Sequence, residues 1–258
     1  MNKKIALVMG GGAGTGRATC MAFSREGYEV VVADINLAGA EETLQCIKSA
    51  GAGGMAIQAS MAVADEVAAV IDTIRQRYGA LHAVSNNGAM GTPNLPFVEI
   101  TEQHWDKCMS VTLKGVWLCM KSQLPLIEAS GGGAIVNVAS VSGMRGEYHQ
   151  SAYAAAKGGV INLSKSAAVE YATRGVRVNT VCPGGINTGG AKMYLETMPE
   201  LKQKMEKAHA MQRLAEPEEI ADAVVYLCSE RASFITGHDM VVDGGVLVRS
   251  NVIDPPFT

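Results

Sequence analysis

The stretch I-A-L-V-M-G-G-G-A-G-T-G, residues 5–16, decides the fold of this chain. It opens with the apolar run Ile5–Met9, which predicts a buried strand. The glycines that follow let the backbone turn tightly and approach a phosphate group, and we expect a helix from about Gly16 to Glu26. The run Glu29–Asp34 predicts a second strand that ends in a carboxylate. A strand, a glycine-rich loop, a helix and a strand with a terminal acid are together typical of a dinucleotide-binding unit.

Asp34 indicates which dinucleotide this unit binds. It follows Gly16 by eighteen residues, which suits an acid that accepts hydrogen bonds from the adenosine ribose. A 2′-phosphate would meet a like charge at Asp34, and neither Ala13 nor Ile35 provides a cation to bind it. We therefore expect NAD rather than NADP as the cofactor.

Strand-like and helix-like segments alternate along the rest of the chain. The further predicted strands are Gly54–Ala59, Leu81–Ser85, Ala134–Ala139, Val176–Val181 and Met240–Val242, and the further predicted helices are Ala38–Ala50, Ala64–Tyr78, Thr101 to about Ala129, Ser151–Arg174 and Glu216–Ser229. Pro125 is expected to bend or shorten the longest of these helices. The alternation predicts a single-domain α/β fold over residues 1–258, a Rossmann-type doubly wound parallel sheet of about seven strands with helices on both faces. Ligands bind such sheets beyond the carboxyl ends of the strands.

The composition limits the classes of partner. The chain has 258 residues, of which 48% are hydrophobic, and its net charge of −3 gives no reason to expect nucleic acid or an anionic membrane. No stretch approaches the ~20 apolar residues of a membrane span. The six cysteines are scattered without a C-x-x-C pair, so we expect reduced thiols, a cytoplasmic location and no metal site.

Ser140, Tyr153 and Lys157 form the candidate catalytic group. Tyr153 and Lys157 are four residues apart in an alanine-rich helical run, so they share one face of the helix. A cation ~5 Å from a phenol, at an effective dielectric of ~20, favours the phenolate by roughly 3 kcal/mol, or about two pKa units. One Tyr-x-x-x-Lys pair arises by chance roughly a third of the time in a chain of this composition. The interpretation therefore depends on Ser140, which follows a predicted strand, and on the first forty residues.

With these motifs in hand, the chain resembles the short-chain dehydrogenases/reductases from about residue 3 to 247. The matching positions are Gly10, Gly14 and Gly16, then Asn86-Asn87, Ser140, Tyr153, Lys157 and the run Pro183 to Thr188. The resemblance implies hydride transfer between a secondary alcohol or ketone and NAD(H). It makes Tyr153 the general acid/base, Lys157 the group that lowers the Tyr153 pKa and holds the nicotinamide ribose, and Ser140 a donor to the substrate oxygen.

The resemblance also implies the cofactor contacts and the assembly. The expected cofactor-binding residues are Gly10, Gly14, Thr15, Gly16, Asp34, Ile35, Ser60, Met61, Asn87, Tyr153, Lys157, Ile186 and Thr188. The family's usual assembly is a homotetramer or homodimer through the long helices. The small residues of Ala154–Gly159 would allow such close helix contact, but they could equally pack against their own sheet.

Thr112 is the main departure from the family pattern. The family usually has an asparagine there, whose amide supports a proton-relay water near the lysine. A threonine is shorter and can satisfy its hydroxyl on a backbone carbonyl four residues back, so a slower or rerouted relay is expected. The other departures, at Met9, Ser60 and Gly88-Ala89, remove no catalytic group.

A methionine-rich segment, from Gly189 to about residue 212, is expected to cover the substrate. Its apolar residues are Met193, Tyr194, Leu195, Met198, Met205 and Met211. Methionine adapts to irregular apolar shapes, which favours a bulky apolar substrate, although ordinary helix packing explains the pattern equally well. Arg145, Glu147 and His149 are expected on a loop that borders the pocket. His149 could hydrogen-bond a substrate group, but a surface position is favoured for it.

Three functions remain open at this point. The first is an NAD-dependent dehydrogenase for a cyclic, steroid-like or aromatic secondary alcohol. The second is a 3-oxoacyl-thioester (acyl-carrier-protein) reductase, a role that usually uses NADPH and that Asp34 argues against. The third is a nucleotide-sensing or scaffold protein, which Thr112 favours and the intact Ser140, Tyr153 and Lys157 oppose.

Overall fold

A seven-stranded parallel sheet forms the centre of the protein. The computed structural model describes residues 3–249, without the side chains of residues 190, 191, 192 and 194. The strands are β1 Ile5–Met9, β2 Glu29–Asp34, β3 Gly54–Gln58, β4 Ala83–Asn86, β5 Gly133–Val138, β6 Val176–Pro183 and β7 Asp239–Val242. Their order in the sheet is β3-β2-β1-β4-β5-β6-β7. Strands β1 to β3 extend towards one edge of the sheet, and β4 to β7 extend from β1 towards the other edge. This is the predicted doubly wound Rossmann-type fold.

Helices cover both faces of the sheet. They are α1 Gly14–Arg25, α2 Leu37–Ser49, α3 Ala64–Tyr78, α4 Glu102–Met109, α5 Gly115–Ala129, α6 Ser151–Tyr171, α7 Gly189–Glu196, α8 Pro199–Ala208 and α9 Pro217–Cys228. Successive strand residues point to opposite faces: Leu7 packs with α3, α5 and α6, whereas Val8 packs with α1, α2 and α9. Burial on both faces explains why the strands read as continuous apolar runs.

Several predicted boundaries shift by one to three residues. The strand expected at Leu81–Ser85 begins instead at Ala83, because the Leu81 amide donates to Ser130 Oγ at 2.9 Å and pairing with β1 starts at Ala83. Conversely, β6 continues through Pro183, which pairs with Val242 at the end of the ladder. Because β5 ends at Val138, Ser140 lies two residues beyond the strand.

The long helix expected from Thr101 is interrupted, but not at the proline. Thr101 caps α4 as predicted, with its hydroxyl accepting from the His104 amide. A π-helical turn at Ser110–Lys114 then separates α4 from α5. The expectation that Pro125 shortens the helix is wrong, since α5 continues to Ala129. Pro125 lies on the exposed face, where water can satisfy the backbone carbonyl that loses its partner.

The methionine-rich segment folds as helices α7 and α8. The side chain of Tyr194 and the tail from Ser250, which was expected either to be disordered or to reach a neighbouring subunit, lie outside the described residues. Within the described residues, none of the helices combines the length and the apolar character needed to cross a membrane. Five cysteines are buried as expected, but Cys46 is exposed on α2.

Candidate active site

A cleft of about 1010 Å³ lies at the carboxyl ends of the strands. It is lined by most of the predicted site residues, namely Gly10, Gly14, Thr15, Gly16, Asn87, Ser140, Tyr153, Lys157, Ile186 and Thr188. These positions are far apart in the sequence and meet because parallel strands end at one edge of the sheet.

The glycine loop forms one end of this cleft. Gly10 and Gly14 have backbone φ values of +78° and +50°, which residues with a Cβ rarely adopt. A Cβ on Gly16 would lie 1.8 Å from the Gly10 carbonyl oxygen, so only glycine lets α1 start this close to the loop. No side chain caps the N-terminus of α1, which leaves backbone N–H groups available to a phosphate.

Asn87 provides a second feature that fits a nucleotide. Its Nδ2 donates to Ser85 Oγ at 2.9 Å, while its Oδ1 is buried without a hydrogen-bond partner. A buried acceptor left unpaired costs free energy, so a donor from a ligand fits this position.

Asp34 lies beside the glycine loop at the end of β2. Its carboxylate accepts from the backbone amides of Gly12 at 2.8 Å and Asn36 at 2.9 Å. A carboxylate has about four acceptor positions, so about two remain for ribose hydroxyls. Arg17, a cation that lines the cleft, donates to both carboxylate oxygens of Glu42, at 3.0 and 2.7 Å.

Four of the predicted cofactor-binding residues, Asp34, Ile35, Ser60 and Met61, are not among those that line the cleft. Asp34 and Ile35 lie next to it, and the Ile35 side chain is largely exposed. The Ser60 amide donates to Glu66 Oε2 at 2.7 Å, and its hydroxyl accepts from the Ala62 amide. The Met61 side chain belongs to the core, so only its backbone is left to face a cofactor.

The catalytic candidates come from β5 and α6. Ser140 follows β5, and its hydroxyl accepts from the Ser142 amide at 3.1 Å. Tyr153 and Lys157 lie one turn apart on α6, with the Lys157 Nζ 5.6 Å from the Tyr153 ring centroid. The Lys157 ammonium is buried and donates to the Val138 carbonyl oxygen at 2.6 Å, which fixes α6 against the end of β5.

The electrostatics of this pair differ from the sequence-based expectation. Burial raises the pKa of Tyr153 to about 12, although a hydrogen bond with Ser140 lowers it in part. Burial also lowers the pKa of Lys157 to about 8. The expectation that Lys157 brings the Tyr153 pKa down by about two units is therefore wrong for the protein alone. Desolvation is the largest cause of the raised Tyr153 pKa, and the Lys157 ammonium is directed at the Val138 carbonyl.

Thr112 is held by the backbone of Met90. Its hydroxyl accepts from the Met90 amide at 2.9 Å and donates to the Met90 carbonyl oxygen at 3.0 Å, not to a carbonyl four residues back. The π-helical turn points this side chain inward, where it is fully buried. With both bonds used, the hydroxyl has no donor left for a relay water.

A second cavity, of about 300 Å³, opens on the other side of Ser140 and Tyr153. Its lining mixes apolar and polar side chains: Val141, Ser142, Arg145, Glu147, Gln150, Met205, Ala208, His209 and Val246. Arg145 and Glu147 thus border the pocket as predicted. His149 stacks on Tyr148 and does not line this cavity, in agreement with a surface role.

His209 and Ser142 are site residues that sequence reasoning missed. His209 is almost fully buried, with Nε2 accepting from the Gly185 amide at 3.0 Å and Nδ1 bonded to the Met205 carbonyl at 2.7 Å. No sequence motif marked it. Ser142, two residues after Ser140, could have been found from its position at the same strand end.

The methionine-rich segment contributes Met205, Ala208 and His209 to this cavity. Met205 lines it, whereas Met193, Met198 and Met211 are exposed. On α6, Ala156 is buried and a Cβ on Gly159 would lie 2.7 Å from the Leu113 side chain. These two small residues therefore pack within their own chain.

Comparisons with known proteins agree with this geometry. The family model described as enoyl-(acyl carrier protein) reductase matches residues 10–247. Cyclohexanol dehydrogenase of Acinetobacter sp. (strain SE19) is 40% identical over 244 residues, which cover 94% of each chain. A 3-oxoacyl-(acyl-carrier-protein) reductase of Staphylococcus aureus is 38% identical over 94% of this chain and 98% of its own. The crystal structure of levodione reductase superposes with a TM-score of 0.88 at 32% identity, covering 94% of this chain and 96% of the other. The chain therefore belongs to the short-chain dehydrogenase/reductase family, whose members are oxidoreductases that use a nicotinamide cofactor.

Proposed function

We propose that this protein is an NAD-dependent dehydrogenase that interconverts a cyclic secondary alcohol and its ketone. The observation that carries the proposal is that the cleft and the second cavity share Ser140 and Tyr153. Ser140, Tyr153 and Lys157 line the same cleft as the glycine loop, and a separate cavity opens beside Ser140 and Tyr153. A cofactor and a small substrate can therefore meet at the Tyr153 phenol.

Each residue of the site has a separate role in the proposed reaction. NAD(H), when bound, accepts or supplies the hydride. Ser140 forms a hydrogen bond with the substrate oxygen, and Tyr153 exchanges the proton on that oxygen. With its pKa raised to about 12, Tyr153 is protonated at neutral pH, which suits proton donation to a ketone. In the oxidative direction the phenol must first lose its proton, and the Lys157 ammonium lies 5.6 Å from the centre of its ring.

NAD is favoured over NADP by the charges around β2. The Asp34 carboxylate would repel a 2′-phosphate, and the nearby Arg17 guanidinium is bound by Glu42. Lys157 and Asn87 would hold the nicotinamide and adenosine sides of the cofactor, respectively.

A small ring suits the second cavity better than a steroid. Its volume of about 300 Å³ is at the lower end for ligand pockets, which span about 300–1,000 Å³. The similarity to a cyclohexanol dehydrogenase supports a substrate of this size. The apolar wall of Val141, Met205, Ala208 and Val246 would contact the ring.

The test is turnover with NAD and a panel of cyclic, aromatic, steroidal and short-chain secondary alcohols, followed by NADH absorbance. Tyr153→Phe should lower the rate by about 10²–10⁴-fold, the usual contribution of a general acid/base. Tyr171→Phe, at the far end of the same helix, is the matched control and should keep the wild-type rate. Equal rates in the wild type and Tyr153→Phe would refute the proposed role of Tyr153.

A 3-oxoacyl-thioester reductase is the second candidate, supported by the similarity to the Staphylococcus aureus reductase. Reduction of acetoacetyl-coenzyme A with NADPH, faster than any alcohol oxidation with NAD, would favour it. NADH binding without turnover of any substrate in either panel would instead favour a nucleotide sensor.

We also propose a homodimer or homotetramer that forms through α4, α5 and α6. An open groove of about 730 Å³ runs between these helices, with Met109, Leu113, Trp117 and Leu163 among its lining residues. The Trp117 side chain is 43% exposed there, and an exposed apolar groove of this kind is typical of a protein–protein contact. Light scattering should give the mass of two or four chains, and a monomer mass would refute this assembly.

A further inference from the structure

Thr112 cannot donate a hydrogen bond to the relay water that usually carries the proton from the catalytic tyrosine to solvent in this family. In the family pattern, an amide at this position supports a relay water near the lysine. Here the Thr112 hydroxyl is occupied twice by the Met90 backbone, and the Lys157 ammonium donates to Val138. A different path is needed if the proton is to reach solvent.

A chain of hydroxyl groups leads from Tyr153 in another direction. Ser140 is the first group on this path, because it lines both the cleft and the second cavity together with Tyr153. The Ser140 hydroxyl donates to Ser142 Oγ at 3.2 Å, and the Ser142 hydroxyl donates to Glu147 Oε2 at 3.2 Å. These distances are long for O–H···O bonds, as is common in active sites without ligands.

The chain of groups ends at solvent. Ser142 is buried, whereas the Glu147 side chain is 31% exposed on the loop between β5 and α6. Arg145 Nη2 lies 3.6 Å from Glu147 Oε2, and the oxygens of a carboxylate can accept a proton.

We propose that Ser142 and Glu147 carry the catalytic proton between Tyr153 and solvent through Ser140. This inference rests on the proposed dehydrogenase function. During alcohol oxidation, the Tyr153 O–H bond breaks and its proton passes to Ser140 Oγ. Each serine gains one proton and releases its own to the next oxygen, and a new O–H bond forms on the Glu147 carboxylate, which releases the proton to water. Reduction of a ketone runs the same transfers in reverse. Ser142 and Glu147 act through Ser140 and do not contact the reacting carbon.

The experiment measures single-turnover oxidation of cyclohexanol with saturating NAD in the full-length protein. Glu147→Gln retains the acceptor for Ser142 but cannot take the proton, and Ser142→Ala interrupts the chain of hydroxyls. Each should slow the turnover by between about tenfold and the ~10²-fold at the lower end of general acid/base contributions, with KM nearly unchanged. Ser142→Thr restores a hydroxyl and should recover most of the rate. Glu99→Gln, an exposed acid outside both cavities, is the matched control.

Chemical rescue separates a proton path from a structural role. Glu147→Ala should regain turnover when formate or acetate is added, in a saturable manner that chloride at equal ionic strength does not reproduce. A larger solvent deuterium isotope effect in Glu147→Gln than in the wild type is expected as well. Fluorescence titration with NADH should give wild-type affinity for every variant, which shows that the cofactor site is intact.

The possible failures are distinguishable. Wild-type rates in both Glu147→Gln and Ser142→Ala would overturn the path and leave the dehydrogenase proposal standing. A rise in KM at constant kcat, without rescue by formate, would make Glu147 a substrate-binding residue and also overturn the path. A wild-type protein that oxidises none of the alcohols would refute the proposed function, and the path would fall with it.

Discussion

Removal of the buried charge of Lys157 should change how stability depends on pH. The Lys157 side chain is 2% exposed, and burial lowers its pKa from 10.5 to about 8. Between these two values the unfolded chain binds more protons than the folded protein, so wild-type stability rises with pH across this window. A shift of this size corresponds to about 3 kcal/mol of destabilisation at neutral pH relative to pH values above both pKa values.

Urea unfolding of the wild type and Lys157→Met, at one protein concentration, measures this effect. Other titrating groups cancel in the difference between the two proteins. We expect the wild type to gain about 2 kcal/mol relative to the variant between about pH 7 and pH 10. The variant loses the hydrogen bond to Val138, a constant offset of about 1 kcal/mol that leaves the slope unchanged.

Lys48→Met is the matched control, because Lys48 is exposed on α2. Its difference from the wild type should be the same at every pH. Parallel stability curves for the wild type and Lys157→Met would refute the reasoning, because they would show that Lys157 keeps its ordinary pKa in the folded protein. Lys157→Met should also lose alcohol oxidation, so that activity and stability change in opposite directions at neutral pH.

Three further substitutions test the cleft. In Gly16→Ala, the new Cβ would lie 1.8 Å from the Gly10 carbonyl oxygen, so α1 must shift at a cost of about 1–3 kcal/mol. We expect the affinity for NADH, measured by fluorescence titration, to fall roughly tenfold or more. Gly91→Ala, where a Cβ meets open space, is its control, and equal affinities would contradict the role of the close approach. Asp34→Asn removes a negative charge that would repel a 2′-phosphate at ~5 Å by about 3 kcal/mol. The affinity for NADP should therefore rise by up to about a hundredfold relative to the affinity for NAD. An unchanged preference would show that other residues select the cofactor. Thr112→Ala should cost about 1–3 kcal/mol of stability in urea unfolding by leaving the Met90 backbone unpaired. It should leave the turnover rate and its pH profile unchanged, and a shifted profile would place Thr112 in the proton path.

The geometry of the site explains which predictions needed the structure. Sequence spacing placed Tyr153 and Lys157 on one helix face, and Coulomb's law then suggested a lowered Tyr153 pKa. The structure reverses the direction, because desolvation depends on the packing around α6 and on the Val138 carbonyl that binds the ammonium. Neither of these can be read from a four-residue spacing.

Local patterns predicted the rest well where a local cause controls the outcome. The glycines of residues 10–16 restrict the backbone itself, and the alternation of apolar runs with amphipathic segments follows from burying a sheet on both faces. The sequence by itself therefore determined the doubly wound sheet, the strand ends that hold the cleft, and the presence of Ser140, Tyr153, Lys157 and Asp34 there.

Only the tertiary structure decided how these groups interact. The partner of Thr112 is a backbone segment 22 residues away in sequence, and His209 lines the second cavity from a helix end that carries no motif. The direction from Ser140 through Ser142 to Glu147 depends on how the loop after β5 folds. Hydrogen-bond partners and desolvation are set by contacts between distant parts of the chain, and such contacts leave no periodic signal in the sequence.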